Sequence, residues 1–120
     1  MGSKYDIHMD DKYGQSRLID VAAEAAAHQP WFNQTLTTVN DSVVRLGLFQ
    51  GEFHWHKHDD GDEFFLLLDG DFRIELEDRT VELRSRQAFT VPKGVLHRPV
   101  VHRRSAVLMI ETAHVVPTGD

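Results

Sequence analysis

The chain has 120 residues, of which 41% are hydrophobic and 27% charged, and its formal net charge is −6 at pH 7. This length is typical of one domain with a single core. The negative charge disfavours nucleic acid as a partner, because a phosphate backbone requires a basic surface. The chain has no cysteine, which excludes disulfides and thiolate chemistry, so any metal must be held by histidine and carboxylate side chains.

The N-terminal part is expected to be a tail of residues 1–15, followed by a single domain of residues 16–120. The opening Met1-Gly2-Ser3 is compatible with an expression-vector remnant. The sequence has neither an apolar run of about 18 residues nor an apolar leader. We therefore expect a cytoplasmic protein with no membrane contact.

One short helix is predicted over residues 16–28, SRLIDVAAEAAAH. The segment is rich in alanine and lacks glycine and proline, with Ser16 as the expected N-cap and Pro30 beyond its end. Few of its side chains are bulky, so we expect the helix to lie on the outside of the domain.

The rest of the chain predicts an all-β fold. Strand-like segments of alternating or apolar character cover residues 43–49, 53–58, 63–68, 72–77, 81–83, 88–91, 97–101 and 106–111. Asp69-Gly70 is the clearest hairpin signal between them. The basic cluster His102-Arg103-Arg104 is expected to form a turn between the last two strands. Eight short strands at this spacing predict a closed or sandwiched antiparallel sheet.

Three histidines alternate in the segment HWHKH, residues 54–58. In a strand, His54, His56 and His58 would share one face, with Phe53 and Trp55 on the other. Alternate residues lie roughly 6.6 Å apart, so two of these imidazoles can converge on one ion, whereas His54 and His58, roughly 13 Å apart, cannot easily do so. The His-x-His pattern alone is a weak indication of metal binding.

Two further residues indicate which histidines form the pair. Glu63 follows a turn rich in glycine and aspartate, which lets the next strand return beside the first and favours His56 and His58. His97 begins a strand after a turn at Gly94. Histidines and a carboxylate from adjacent strands of a barrel could meet around one ion.

Two motifs resemble those of the cupin superfamily. HKHDDGDEFFLLLDG matches the first cupin motif, His-x-His, four residues, Glu, six residues, Gly, and VPKGVLH matches the core of the second, Pro-x-Gly-x-x-His. The chain most resembles small single-domain cupins labelled "mannose-6-phosphate isomerase-like", from about residue 17 to residue 120. The resemblance implies a double-stranded β-helix, or jelly-roll, barrel in which His56, His58, Glu63 and His97 bind one divalent metal ion.

The match departs from the family pattern at three positions. Gly51 is one residue closer to the first histidine than usual, and Arg86 and Val101 replace a glycine and an asparagine of the second motif. None of the three is a ligand in the family, so metal binding is still expected.

The ligand set suits Fe, Mn, Ni, Co or Zn and leaves up to two open positions on an octahedral ion. The first hypothesis is an Fe(II)-type dioxygenase acting on a small, mostly apolar molecule. The second is a non-redox isomerase or lyase in which His54 moves a proton, and the third is a non-enzymatic binding protein with a structural metal. For His54, a catalytic role and a buried position tied to a backbone or acidic partner are both open.

Charge and apolar surface give the remaining expectations. Asp59, Asp60 and Asp62 would make one rim of the barrel acidic, which favours a neutral or cationic small-molecule substrate. The orientation of Arg45, the one basic residue that could contact a phosphorylated substrate, is undetermined. An exposed sheet face with Phe53 and Trp55 favours a homodimer.

Overall fold

The computed structural model describes residues 4–119, and Met1-Gly2-Ser3 lies outside the described residues. Residues 4–119 form one helix and eight strands: β1 (Asp6–His8), α1 (Val21–Ala26), β2 (Phe32–Val39), β3 (Ser42–Glu52), β4 (Glu63–Asp69), β5 (Phe72–Leu76), β6 (Thr80–Leu83), β7 (Ala88–Val91) and β8 (His97–Thr112). In the described part of the chain, no helix has the length and apolar character needed to cross a membrane.

All eight strands belong to one sheet, which confirms the predicted all-β barrel. The strand order is β1-β2-β3-β8-β4-β7, and β5 pairs with both β6 and β8. The pairing is antiparallel except between β1 and β2. Strand β8 is the centre of the sheet, because it pairs with β3 along most of its length, with β5 near its start and with β4 near its end.

The hydrophobic core of the barrel forms because apolar residues alternate along these strands. Alternate residues of a strand share a face, and one set of them meets in a single core cluster as the sheet curls. Its buried members are Phe49, Phe65, Leu67, Phe72, Ile74, Leu83, Val91, Val101, Val107 and Met109. Alternate residues of β4 and β5 therefore face the interior of the barrel.

A second apolar cluster lies on the outer face of the sheet. Phe32, Leu36, Leu46, Leu48 and Ala106 pack there with Ala25 of α1. Strand β3 is thus buried on both faces, which explains why its sequence is apolar at successive positions rather than alternating.

The helix is shorter than the sequence predicts. It spans Val21–Ala26, and its N-cap is Asp20, whose side chain accepts a hydrogen bond from the Ala23 amide. The predicted cap, Ser16, has φ 62, in the left-handed region, and Leu18 is 94% exposed. Residues 16–18 are exposed and bury no apolar surface, so helix propensity alone does not extend the helix over them.

The predicted hairpin at Asp69-Gly70 is wrong. Strands β4 and β5 do not pair with each other, and instead lie one after the other along β8. Gly70 is needed there for a different reason: its φ is 122, and a Cβ at this position would lie 2.1 Å from Ser105 Oγ and 2.6 Å from Ser105 Cα. The glycine permits the close approach of two chain segments.

The predicted turn at His102-Arg103-Arg104 is also wrong, because these residues lie within the continuous strand β8. They occur between the part of β8 that pairs with β5 and the part that pairs with β4. Arg104 donates hydrogen bonds to the carbonyl oxygens of Ala25 and His28. It thereby attaches the end of α1 to the outer face of the barrel.

Candidate metal centre

The four predicted ligands lie together inside the barrel. His56, His58, Glu63 and His97 are all buried, and one ligand atom from each lies within 4.8 Å of those of the others. Glu63 begins β4 and His97 begins β8. His56 and His97 are joined by reciprocal backbone hydrogen bonds of 3.0 and 2.9 Å, which fix their side chains on the same wall.

Backbone carbonyl groups orient two of the imidazoles. His56 Nδ1 lies 3.0 Å from the carbonyl oxygen of His54, and His97 Nδ1 lies 2.9 Å from that of Val95. Donation from Nδ1–H to a carbonyl leaves the Nε2 lone pair available, and this is the usual way in which proteins orient metal-binding histidines.

The spacing of the ligand atoms fits a six-coordinate divalent ion. Metal–nitrogen bonds of about 2.1 Å place adjacent ligands about 3.0 Å apart and opposite ligands about 4.2 Å apart. The Nε2 atoms of His58 and His97 both lie 3.2 Å from Glu63 Oε1, and the widest separation in the cluster is within 4.8 Å. Small side-chain movements would therefore suffice to close the four ligands on one ion.

The charge states also fit metal binding. Burial lowers the pKa of His56 to about 4, so this imidazole is neutral at pH 7. Burial by itself would raise the pKa of Glu63, but the contacts with His58 and His97 outweigh it and lower that pKa to about 2. A neutral imidazole and an ionised carboxylate are the forms that bind a metal.

The segment between β3 and β4 differs from the predicted strand. The regular strand ends at Glu52, and the buried residues after it are Phe53, His56 and His58. Two exposed residues in succession, His54 and Trp55, break the alternation. The expectation that all three histidines share a face opposite Phe53 is therefore wrong, since period-two alternation requires an extended backbone.

His54 lies outside the ligand cluster. Its side chain is exposed, and its Nε2 lies 2.6 Å from the carbonyl oxygen of Thr118. The backbone partner is one of the two predicted environments, but the side chain is not buried. This position gives no support to the proton-transfer role considered for His54.

A buried ion pair lies next to the cluster and was not predicted. Arg45 is 1% exposed and faces inward, 3.5 Å from Glu111. Its guanidinium also donates to Thr35 Oγ1 and to the carbonyl oxygens of Val115 and Ala113. Arg45 thus joins β2, β3 and the C-terminal segment, and each of its three guanidinium nitrogens donates to a group of the protein.

Glu111 shares the inner face of β8 with Val107 and Met109. Burial, and next the negative charge of Glu63, raise the pKa of Glu111 well above its ordinary value, although Arg45 opposes this. Of the two neighbouring carboxyl groups, Glu63 is therefore the one whose ionised form the surroundings favour. The alternation of AVLMIE could have identified this residue, because it places a carboxyl group in phase with two core side chains.

A narrow, mainly apolar cavity leads to the cluster. Both His56 and Glu63 line it. Its walls include the aromatic side chains of Tyr5, Trp31, Phe49, Phe53 and Phe65. Two of the four candidate ligands therefore line this cavity.

Both ends of the described chain close this cavity. Tyr5 packs against Trp31 and Phe53, with ring centroids 5.5 and 5.1 Å away. From the other end, Pro117 lines the cavity, and a Cβ at Gly119 would lie 3.0 Å from His56 Cβ. Residues 4–15, expected only to be a tail, thus contribute to the candidate site.

Comparisons with known proteins agree with this fold. The cupin domain model (Cupin_2) matches residues 43–112. A crystal structure of a cupin-2 domain containing protein from Shewanella frigidimarina NCIMB 400 has a TM-score of 0.77 at 29% identity and covers 82% of this chain and 97% of its own. Protein NMB1881 from Neisseria meningitidis has a TM-score of 0.73 at 23% identity, covering 80% of this chain and 99% of its own.

The uncharacterized protein YdbB of Bacillus subtilis (strain 168) is 39% identical over 80 residues, which are 66% of this chain and 71% of that protein. The family match covers more than half of the 120 residues, from β3 to the end of β8. The chain therefore belongs to the cupin family, and its buried three-histidine, one-glutamate cluster could hold a metal ion.

Proposed function

We propose that this protein is an enzyme of the Fe(II)-dependent dioxygenase type that acts on a small, mostly apolar organic molecule. The observation that carries the proposal is the position of His56 and Glu63, which belong both to the ligand cluster and to the wall of an aromatic cavity. An iron ion held by the four residues would supply open coordination positions for substrate and dioxygen.

The protein residues have separable roles in this proposal. His56, His58, Glu63 and His97 would bind the ion, and the backbone contacts at Nδ1 of His56 and His97 leave Nε2 of these two residues available to it. The aromatic walls bind the substrate and exclude water from the reacting atoms. Arg45, through Glu111, supports the carboxylate of Glu63 from the side away from the solvent.

The cavity favours a neutral or cationic substrate. Within residues 4–119, no lysine or arginine lines it, whereas Asp6 does. Arg45 was the one candidate for binding a phosphate, and its donors are used by other protein groups. A phosphorylated sugar would meet no lysine or arginine side chain among the residues that line this cavity, so the isomerase label of similar proteins is not part of the proposal.

The test is anaerobic reconstitution with Fe(II), followed by oxygen-uptake measurements with a panel of small neutral and cationic organic compounds. We expect turnover that Glu63→Ala abolishes. Glu75→Ala is the matched control, since Glu75 pairs with Arg98 outside the cluster, and it should retain both iron and turnover.

Loading the protein with Zn(II) separates the reaction types. Loss of turnover with zinc agrees with oxygen chemistry, whereas equal turnover with zinc would instead indicate isomerase or lyase chemistry. Oxygen uptake that persists in metal-free protein or in Glu63→Ala would contradict the proposal.

We retain the homodimer as a proposal, on a weaker basis. Phe53 is buried inside the barrel and provides no surface for a partner, while Trp55 is 45% exposed. Light scattering at micromolar concentration should give twice the mass of the chain, and a monomeric mass would contradict the proposal.

A further inference from the structure

An unpaired amide lies in the wall of the apolar cavity. Asn33 of β2 is 9% exposed, and its side chain lines the cavity. Its Oδ1 is buried and has no hydrogen-bond partner within the described part of the chain. A buried acceptor without a partner costs about 1–3 kcal/mol, so such a group is rarely kept without a reason.

The residue opposite Asn33 on β3 has no side-chain donor. Across the sheet Asn33 is paired with Gly47, which has no side chain. A Cβ at residue 47 would lie 2.3 Å from Phe49 Cε1 and 2.8 Å from Met109 Cε, so this wall is already filled by apolar groups. A molecule inside the cavity can therefore provide the donor where the protein does not.

The shape of the cavity restricts that molecule further. The rings of Trp31 and Phe53 are 5.5 Å apart at 45°, and Tyr5 meets Trp31 edge-on at 84°. The space they border is narrow. Aromatic rings at these separations favour a flat, apolar ligand that can stack or pack edge to face.

We propose that the cavity binds a planar aromatic molecule carrying a hydroxyl or N–H group, and that Asn33 determines this specificity by accepting a hydrogen bond from that group through Oδ1. The inference rests on the proposed function only in that the same molecule would reach the metal cluster through this cavity. Binding itself requires no turnover.

Two probes of nearly equal shape test the donor. Indole carries an N–H where benzofuran carries an ether oxygen. We would measure the affinities of both by ligand-observed NMR with the zinc-loaded protein, in which oxygen chemistry does not proceed. For each protein we would take the ratio of the indole affinity to the benzofuran affinity. A hydrogen bond of ordinary net strength should make this ratio roughly 2- to 10-fold larger for the wild type than for Asn33→Leu.

Leucine has the same branching as asparagine, and the substitution Asn33→Leu removes the buried Oδ1 that has no partner. It should melt at or above the temperature of the wild type, since an unsatisfied polar group is lost, and should bind benzofuran at least as well. Met109→Leu, which also alters the cavity wall but changes no polar group, should keep the wild-type preference for indole. If Asn33→Leu does not fold, Asn33→Ala provides the same comparison.

The outcomes distinguish this inference from the proposed function. Binding of neither probe would overturn the aromatic ligand class, and an indole preference unchanged in Asn33→Leu would overturn the role of Asn33. Indole binding that depends on Asn33, together with no oxygen uptake on any substrate, would support this inference while contradicting the dioxygenase proposal.

Discussion

Glu63 connects two of the three histidines in the candidate metal centre. Its Oε1 lies 3.2 Å from Nε2 of both His58 and His97. We expect Glu63→Gln to bind Zn(II) or Fe(II) at least about 10-fold more weakly than the wild type, because the amide removes the only charge among the four ligands. Competition with a chelator of known affinity would measure the change.

Glu75→Gln is the control for this measurement. Glu75 accepts a hydrogen bond from Arg98 on the outside of the barrel, and its replacement should leave metal affinity unchanged. Equal affinities of Glu63→Gln and the wild type would show that Glu63 is not a ligand.

The sequence was sufficient to identify the candidate ligands but not their surroundings. Spacing and turn chemistry identified Glu63 and His97, because each follows a recognisable turn and begins a strand. Asn33 lies in a polar stretch, FNQTLTTV, that has no strand-like alternation. This stretch forms a strand because β3 and β1 pair with it on either side. Such long-range pairing is not encoded in the local sequence.

Long-range strand pairing, which the local sequence does not encode, also explains the wrong predictions for whole strands and turns. Asp69-Gly70 has the composition of a hairpin turn, yet β4 and β5 both pair with β8 rather than with each other. The residues of a turn specify local backbone angles and leave the partner of the next strand open. The long strand β8 was predicted as two pieces for a related reason, since three successive polar residues within it were interpreted as a turn.

Gly70 and Gly94 form a matched pair for testing the close approach at Ser105. Both have positive φ, at 122 and 77, but a Cβ at Gly94 meets nothing within 4 Å, whereas one at Gly70 would overlap Ser105. We expect Gly94→Ala to lower the free energy of unfolding by about 1 kcal/mol through backbone strain alone. Gly70→Ala should cost at least about 2 kcal/mol more, because backbone atoms must also move.

Urea unfolding of the two variants and the wild type, each in the presence of a chelator, would provide these differences. Equal losses for Gly70→Ala and Gly94→Ala would show that the chain at Ser105 adjusts without cost. In that case the contact with Ser105 would not explain why residue 70 is a glycine.

Glu24 attaches the N-terminal segment to α1. It is 5% exposed and is bonded to Lys12 and Tyr13. Burial would raise the pKa of Glu24, but the hydrogen bonds from Lys12 and Tyr13 outweigh it and lower the pKa below its usual 4.5. The folded state therefore favours the carboxylate, which stabilises the protein above about pH 4.5, and this contribution is lost as the pH falls through the folded-state pKa.

We expect Glu24→Gln to reduce the free energy of unfolding by about 1–2 kcal/mol at pH 7, with a smaller difference from the wild type at pH 4. Glu82→Gln is the control, because Glu82 pairs with Arg73 at the surface and should contribute less than about 0.5 kcal/mol. Urea titrations at both pH values would measure the two differences. A difference that grows as the pH falls would contradict the assigned ionisation.

At the scale of the whole molecule, the chain ends complete a barrel that is open at one side. Asp6 N donates to the carbonyl oxygen of Trp31, which adds β1 to the edge of the sheet beside β2. Val115, at the other end, is fully buried and receives a hydrogen bond from Arg45. Neither segment contains a candidate ligand, so the structure separates the binding of the metal from the enclosure of the cavity.

Removal of residues 1–8 tests this separation. The deletion removes β1 and Tyr5, and it leaves all four candidate ligands in place. We expect a folded protein with metal affinity within about 3-fold of the wild type, because none of the groups that orient the ligands is lost. Binding of indole to the zinc-loaded protein should weaken at least about 10-fold, since the truncated cavity loses one aromatic wall and becomes open to water.

Trp31 reports directly on the opening of the cavity. The chain has two tryptophans, so Trp55→Phe leaves Trp31 as the single fluorophore. In that background the deletion should move the emission of Trp31 to longer wavelength and increase its quenching by acrylamide, because Tyr5 and Lys4 no longer cover the indole ring. Emission and quenching unchanged by the deletion would mean that the N-terminal segment does not enclose the cavity in solution, and the ligand would then be selected by the barrel walls alone.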